Sequence, residues 1–553
     1  MISVILIWIY MTATCYICGY TALRLILKTG GCGIKKQSSY LYAGLAFVTV
    51  YAQFFSIFSK VGLWANVLLI VICMVCTFIL RKELKEQFRS FLLTITPVKA
   101  GAIVVLFLIF AYGTSAGIIH YDTGLYHAQS IRWIEEYGVV PGLGNLHSRL
   151  AYNSSSFCLS ALYSFAFLGG QSYHCCAGFM AFLLSLVCAE GILDRKSKRP
   201  QLSDFVRVMA VYYLLIIFDE MVSPASDYFM VLSVFYIIIR WLDLLEWKES
   251  TYLPYGLLCL FGVFTVTVKL SGALILLLTI KPAIMMIKDK KGKEIALFLS
   301  LGLLMALPFF IRNVILSGWL VYPFTSVDLF SFDFKIPKGM ADYDAKEIQV
   351  WGRGFSDVTR YDEPIGQWLP EWAASLDSIN KVFLLLALSG LIIFIILCVY
   401  FVIKRSKETA DFLVVSGTMA VSFLFWLTSA PLIRYGCVYL WVFPVLVWGF
   451  IYLKISPRLD RYKLFWVLLA VLGCYKAGAF VYETARSASA EYLIHQKDYE
   501  NFETVSYELH GYTFYYPASG DRTGYKDFPA SPVKAEDIFR GETVEEGFRD
   551  VIH

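Results

Sequence analysis

The chain has 553 residues, of which 58% are hydrophobic and 16% charged, and its mean hydropathy is +0.62. A soluble globular protein carries roughly 45–50% apolar and about 25% charged residues, so this composition excludes a soluble enzyme, a disordered chain and a fibrous repeat. The 48 Lys and Arg against 43 Asp and Glu leave only +5, too slight a bias for a nucleic-acid partner. The class that follows is an all-α polytopic membrane protein, and aromatics at 17% suit rings seated at membrane–water interfaces.

Apolar stretches of roughly 17–25 residues can cross a bilayer as helices. In chain order they predict about 14 spans, near 3–27, 40–59, 62–80, 100–119, 172–193, 205–221, 227–247, 253–268, 270–287, 294–316, 381–403, 410–428, 436–453 and 463–482. The first lacks a basic leader and is too long for a signal peptide, so it reads as a retained span. Lys and Arg collect after the first and third spans, at Arg195–Arg199, at Lys288–Lys293, at Lys404–Lys407 and at Lys454–Lys463. Placing these loops in the cytoplasm puts both termini outside. The cysteines, such as Cys73, Cys76, Cys188, Cys259 and Cys398, sit in apolar runs and read as small buried hydrophobes.

Three units result: N-terminal transmembrane helices over 1–99, a transmembrane module over 100–482 with outer loops 120–171 and 317–380, and an outer tail over 483–553. Residues 150–168 are apolar enough to span. A span there would move the Arg195–Arg199 cluster outside, so they are expected to lie as a flat helix in the outer interface.

The loop after the fourth span, Ile118 to Phe157, concentrates polar chemistry: His120, His127 and His147 accompany Asp122, Arg132, Glu135, Glu136 and Arg149. Its pattern is helical from Thr123 to Tyr137, and Gly138 and Pro141 end it. Helical spacing sets Asp122, Tyr126, Gln129 and Trp133 on one side. Asp122 leaves a membrane helix at the water border, where partial desolvation raises a carboxyl pKa toward values useful to a general base. It is equally placed to cap the helix by accepting the N–H of Gly124 or Leu125. The histidines show neither H-E-x-x-H nor another ligand spacing, so no metal site is read from them.

Three cations stand at the outer ends of spans: Lys269, Arg312 and Arg434. A charge at membrane depth is costly unless it is paired or faces a polar cavity. Three converging on one outer cavity would hold a phosphate or pyrophosphate, since arginine can bond two oxygens at once. The alternative is that each pairs with Asp219, Asp227 or a loop carboxylate.

The order of these parts resembles the GT-C superfamily of membrane glycosyltransferases. The matching pieces are Tyr121-Asp122-Thr123 to His127, segment 150–168, Ser223-Pro224-Ala225-Ser226-Asp227, Lys269 to Gly272, Arg312-Asn313, and Pro431 with Arg434-Tyr435. A closer likeness is to a bacterial family of large polytopic membrane proteins with a YDTGLYH-type outer loop and a GDRTGYKDFP-type tail, seen here at Tyr121 to Ser155 and Gly520 to Arg549. The chain differs from the superfamily in having three spans before the one leading to Asp122, and no second acid beside it.

The resemblance implies an inverting glycosyltransferase of cell-envelope glycan assembly. It would use a polyprenyl-phosphate-linked sugar donor from the membrane lipids and a glycan, lipid or protein acceptor at the outer face of the cell membrane. Asp122 would be the base and Lys269, Arg312 and Arg434, with Tyr435, would hold the donor. Tyr126, His127 and Arg132 would line the acceptor or sugar pocket. No cofactor is required, and a divalent metal is left open. The alternatives are a lipid-linked glycan polymerase or ligase, or a non-catalytic transporter or scaffold.

Overall fold

The computed structural model describes residues 1–26, 36–194, 199–404, 407–455, 461–536 and 538–550. It is helical almost throughout. In chain order the helices are α1 (Ile2–Thr21), α2 (Ser38–Phe58), α3 (Leu63–Ile79), α4 (Arg81–Thr94), α5 (Pro97–Ser115), α6 (Ala128–Glu136), α7 (Ser155–Leu162), α8 (Cys176–Leu193), α9 (Leu202–Ile216) and α10 (Ser226–Glu246). They continue with α11 (Tyr252–Val268), α12 (Ile280–Lys288), α13 (Gly292–Ser317), α14 (Lys338–Gly352), α15 (Ile365–Ser375), α16 (Ser378–Lys404), α17 (Lys407–Ser429), α18 (Ile433–Ile455), α19 (Arg461–Ser487) and α20 (Glu491–Ile494). Two strands follow, β1 (Thr504–Leu509) and β2 (Tyr512–Pro517).

The protein is a multi-pass membrane protein, with fewer long spans than the sequence predicts. Among the described residues ten helices are long and apolar enough to cross, or eleven if the bent pair α3–α4 counts as one. All four remaining predicted stretches are helical, but α3, α9 and α11 have 17, 15 and 17 residues. At 1.5 Å per residue these reach only about 22–26 Å against a hydrocarbon core of about 30 Å. The fourth, α19, is long but is not among the ten. Segment 150–168 is not one continuous helix. It breaks into a turn at Ser148–Ala151, the eight-residue α7 and a turn at Ala166–Leu168. Every residue of α7 is buried, since the helix packs between α2 and α6.

Small residues set the closest helix contacts. A Cβ on Gly44 of α2 would lie 1.7 Å from the carbonyl oxygen of Cys15 in α1, and one on Gly19 2.0 Å from that of Tyr40. The two backbones therefore pack directly, as small residues allow in membranes. Cys15/Cys18 and Cys73/Cys76 each have C-x-x-C spacing, which the reading of cysteine as a lone small hydrophobe missed. Cys18 Sγ lies 3.7 Å from Cys73 Sγ across α1 and α3, and all cysteines among the described residues are free thiols.

Helix α10 is the central element: nearly all its residues are buried, so its first turn, with Asp227, falls in the middle of one end of the bundle. Around that end converge the exit of α5, the α9–α10 turn, the break after α11 and the start of α18. The first two are tied together, since Ile118 N–H donates to Asp219 O at 2.6 Å and His120 N–H to Ser223 Oγ at 2.7 Å. Helix α18 is bent at Gly436, where a Cβ would meet the Trp426 ring at 2.4 Å. The bend frees the preceding turn, with Arg434 and Tyr435, to aim at the same end.

The tail is folded. Strands β1 and β2 pair antiparallel through a His510-Gly511 turn in which both residues have positive φ, the geometry that two-residue hairpins favour. Phe514, Phe539 and Phe548 of the tail share a core with Trp133, Val140 and Leu143, which seats it on the loop that follows Asp122.

Candidate active site

Asp122 opens a five-residue turn of π-helix, Thr123–His127, that leads into α6. Its side chain makes no capping bond. Instead Arg434 Nη2 donates to Asp122 Oδ2 at 2.6 Å, while Nη1 of the same fork donates to His120 Nε2. Arg434 Nε lies 3.9 Å from Asp227 Oδ2. The other oxygen of Asp227 bonds Lys269 Nζ, which stands 4.0 Å from the centre of the Tyr435 ring. Two carboxylates, two cations, one imidazole and one phenol ring thus form a single cluster from four separate chain regions.

Its charges are arranged for ion chemistry. Burial pushes the Asp122 carboxyl upward, but the charge and hydrogen bond of Arg434 count against it, and the group stays below its ordinary 3.8. Asp122 is therefore a carboxylate at neutral pH. Burial, and then the Arg434 charge, lower the pKa of His120, and burial lowers that of His127 to about 3. Both rings are neutral. The Asp122, Lys269 and Arg434 side chains keep 18%, 24% and 30% of their exposure, so the cluster opens to solvent on one side. Among the described residues no group of three or more His, Cys, Asp or Glu side chains is placed to hold a metal ion. A cavity of about 220 Å³ lies elsewhere, among Tyr42, Phe47, Tyr236, Leu258 and Phe261; its lining is mostly apolar, and its two cations, Lys36 and Arg240, are paired with Asp194 and with Glu190 and Asp243.

Residues 1–441 match the family described as Domain of unknown function (DUF8201). The chain belongs to that family. No curated protein and no solved structure matches it. The matched residues include every member of the cluster, from His120 to Tyr435, and stop before the tail.

The predicted residues divide into three groups. Asp122, Lys269, Arg434 and Tyr435 come together. Tyr126 and His127 are neighbours in the π turn: their rings are 4.4 Å apart, and Tyr126 continues to Tyr152 at 5.7 Å. His127 is buried, with Nδ1 3.2 Å from Thr123 Oγ1. Arg312 and Arg132 have other partners. Buried Arg312 donates to Ser56 Oγ at 2.6 Å and Asn153 Oδ1 at 3.2 Å. Arg132 donates to the carbonyls of Tyr525 and Lys526 in the tail. The expected shared face of Asp122, Tyr126, Gln129 and Trp133 also breaks up, for Asp122 turns to Arg434 while Gln129 and Trp133 turn to the tail. A π turn closes over five residues rather than four and shifts every later side chain round the axis.

Two members were passed over by the sequence reading. Asp227 enters the sequence analysis as a neutralising partner and as the end of the Ser223–Asp227 resemblance, but not among the site residues, although its place on the first turn after Ser-Pro at a span end is a legible signal. His120 carried none, since a histidine at a span end is common. A third group, Glu135, faces the tail: Tyr525 OH donates to it at 2.5 Å and Ser172 Oγ at 2.9 Å. Burial raises its pKa from 4.5 to about 7, against the pull of the Ser164, Tyr525 and Ser172 hydroxyls.

Because the docked state resists the charge, docking carries no penalty below pH 4.5 and weakens as pH rises from 4.5 to about 7. The loss over that window is about 3 kcal/mol. Limited proteolysis of the tail at pH 5 and pH 8 should show faster cutting at pH 8, and Glu135→Gln should remove the difference. Equal rates in the unaltered protein would mean that Glu135 is not the titrating group.

Proposed function

We propose that this protein is an inverting glycosyltransferase of the GT-C type. It would transfer a sugar from a polyprenyl-phosphate-linked donor to an acceptor hydroxyl at the outer face of the membrane, in cell-envelope glycan assembly. The observation that supports this most directly is the Asp122–Arg434 pair, with Lys269 beside it, at one open end of a bundle of membrane helices. There a lipid phosphate would arrive from the bilayer and an acceptor from water.

The chemistry follows from the pairing. The donor phosphate competes with the carboxylates for Arg434 and Lys269, and a guanidinium suits two phosphate oxygens. As Arg434 turns to the phosphate, Asp122 loses the charge that depressed its pKa and becomes a stronger base. The acceptor oxygen attacks the anomeric carbon, and its proton passes to Asp122. The bond from the anomeric carbon to the phosphate oxygen breaks with its electron pair on the phosphate, where Lys269 and Arg434 stabilise the growing charge. Attack opposite the leaving group inverts the anomeric centre. Arg312, held by Ser56 and Asn153, supports that end of α13 rather than touching the donor.

The test is consumption of a labelled lipid-phosphate sugar by the purified protein in lipid nanodiscs. Loss of label from the lipid, dependent on Asp122, supports the reading; no loss with any lipid-linked sugar and acceptor tried sinks it. The rival reading, a non-catalytic transporter or scaffold, draws on the mutual pairing of all four charges. It predicts that Asp122→Asn keeps full function.

The orientation has its own test. In a cysteine-free variant, Ala345→Cys and Ser519→Cys should react with an impermeant thiol reagent added to whole cells. Asp289→Cys, in a basic loop, should be shielded. Labelling at 289 with protection at 345 and 519 would place the cluster on the cytoplasmic side.

A further inference from the structure

We infer that the tail loop 521–530, which lies beyond the family match, is the element that fixes the Asp122 turn in its working position, with Gln129 and Arg132 as positioning residues. The inference rests on the reading of Asp122 as the catalytic base.

The turn that carries Asp122 is held within a helix on one side only. π-helical turns occur mostly inside α-helices, whereas this one leads into α6 and has no full turn of α-helix directly before it. Here the tail grips it on both sides of Asp122. Before it, Tyr121 OH donates to Asp521, and the Arg522 guanidinium lies 4.7 Å from the Tyr121 ring and 4.5 Å from that of Phe502. After it, the carbonyl of Gly124 accepts from the N–H groups of Thr523 at 3.0 Å and Gly524 at 2.9 Å. Gly124 has no room to retreat, because a Cβ there would lie 2.7 Å from the Phe502 ring.

One helical turn on, the buried Gln129 amide is used completely on the tail. Its nitrogen donates to Gly524 O at 3.0 Å and Asp527 O at 2.9 Å, and its oxygen accepts from Ala530 N–H at 3.2 Å. Arg132 completes the grip, with Tyr525 O at 2.6 Å and the Tyr525 and Phe528 rings 5.0 and 4.7 Å away. Gln129 bonds backbone atoms only, so it reads the loop's shape, while Arg132 also lies over two of the loop's rings.

That shape depends on Gly524. Its φ is +70°, and a Cβ would meet Glu500 O at 2.4 Å. Gly524→Ala therefore undoes the dock from the tail side, and Gln129→Ala from the helix side, neither touching Asp122, Arg434 or Lys269. With Arg434 and Lys269 anchored in the bundle, the tail decides how far Asp122 stands from them and from an incoming hydroxyl. A misplacement of about 1 Å can cost on the order of 10²-fold in rate.

The experiment uses the full-length protein in nanodiscs. Amide exchange over residues 118–130 should quicken in Gly524→Ala and in Gln129→Ala while the exchange of α10 and α18 stays as in wild type. The kcat per folded molecule should fall roughly 10–10²-fold in each, with both KM values within about twofold, and the double variant should be no worse than the weaker single one. A purely structural tail would lower the folded fraction and leave kcat per folded molecule unchanged. Unchanged exchange over 118–130 in Gly524→Ala overturns the inference, as does wild-type kcat in a variant whose exchange has quickened. A wild-type protein that transfers no sugar sinks the transferase reading, and the exchange result alone then decides whether the tail fixes the turn.

Discussion

Asp122→Asn is expected to insert and fold and to transfer almost no sugar. Asparagine keeps an oxygen for Arg434 Nη2, which donates to Asp122 Oδ2 at 2.6 Å, so the bond survives with the charge on the guanidinium alone and stability falls by about 1–3 kcal/mol. A base needs a site that takes a proton, which an amide lacks, and losing such catalysis costs about 10²–10⁴-fold. Asp122→Glu keeps the charge but moves it by one methylene, enough to misplace it from an attacking hydroxyl. Turnover of a lipid-phosphate sugar, with thermal unfolding measured on the same samples, checks both. Full transfer by Asp122→Asn would leave Asp122 as an ion-pair partner and move the search for the base to Asp227.

Arg434→Lys is the second large effect. The guanidinium serves His120 and Asp122 at once and approaches Asp227. An ammonium on a flexible stem can replace the charge but not the planar fork. Losing a group that stabilises leaving-group charge costs on the order of 10²–10³-fold in kcat, so Arg434→Lys should retain no more than about 1% of turnover. Lys269→Arg should do less harm, because Lys269 acts as a point charge against Asp227 and the Tyr435 ring. Steady-state kinetics with the lipid donor separate the cases, and wild-type kcat in Arg434→Lys would remove the residue from the donor site.

Much of this molecule is legible in its sequence. The mean hydropathy and the apolar runs determine a helical membrane protein, and every predicted span is helical. The end of α5 and the start of α10 mark where a carboxylate leaves the apolar phase, and this is why Asp122 stood out and Asp227 could have. The number of long spans was not legible, since α9 and α11 are apolar like the ten long helices but have only 15 and 17 residues. Composition does not distinguish burial in protein from burial in lipid.

The partners were the work of the tertiary structure. Arg434 is 312 positions from Asp122, and three outer cations look alike in sequence. Only the bend of α18 at Gly436 brings Arg434 to Asp122, whereas Arg312 faces Ser56 and Asn153. Arg132 and Gln129, near Asp122 in the chain, are drawn to a tail some 390 to 400 positions away, because the π turn rotates them out of its face. Local periodicity fixes which residues are helical and apolar. Which charges meet is fixed by long-range packing, since an ion at this depth must be matched by another or by water.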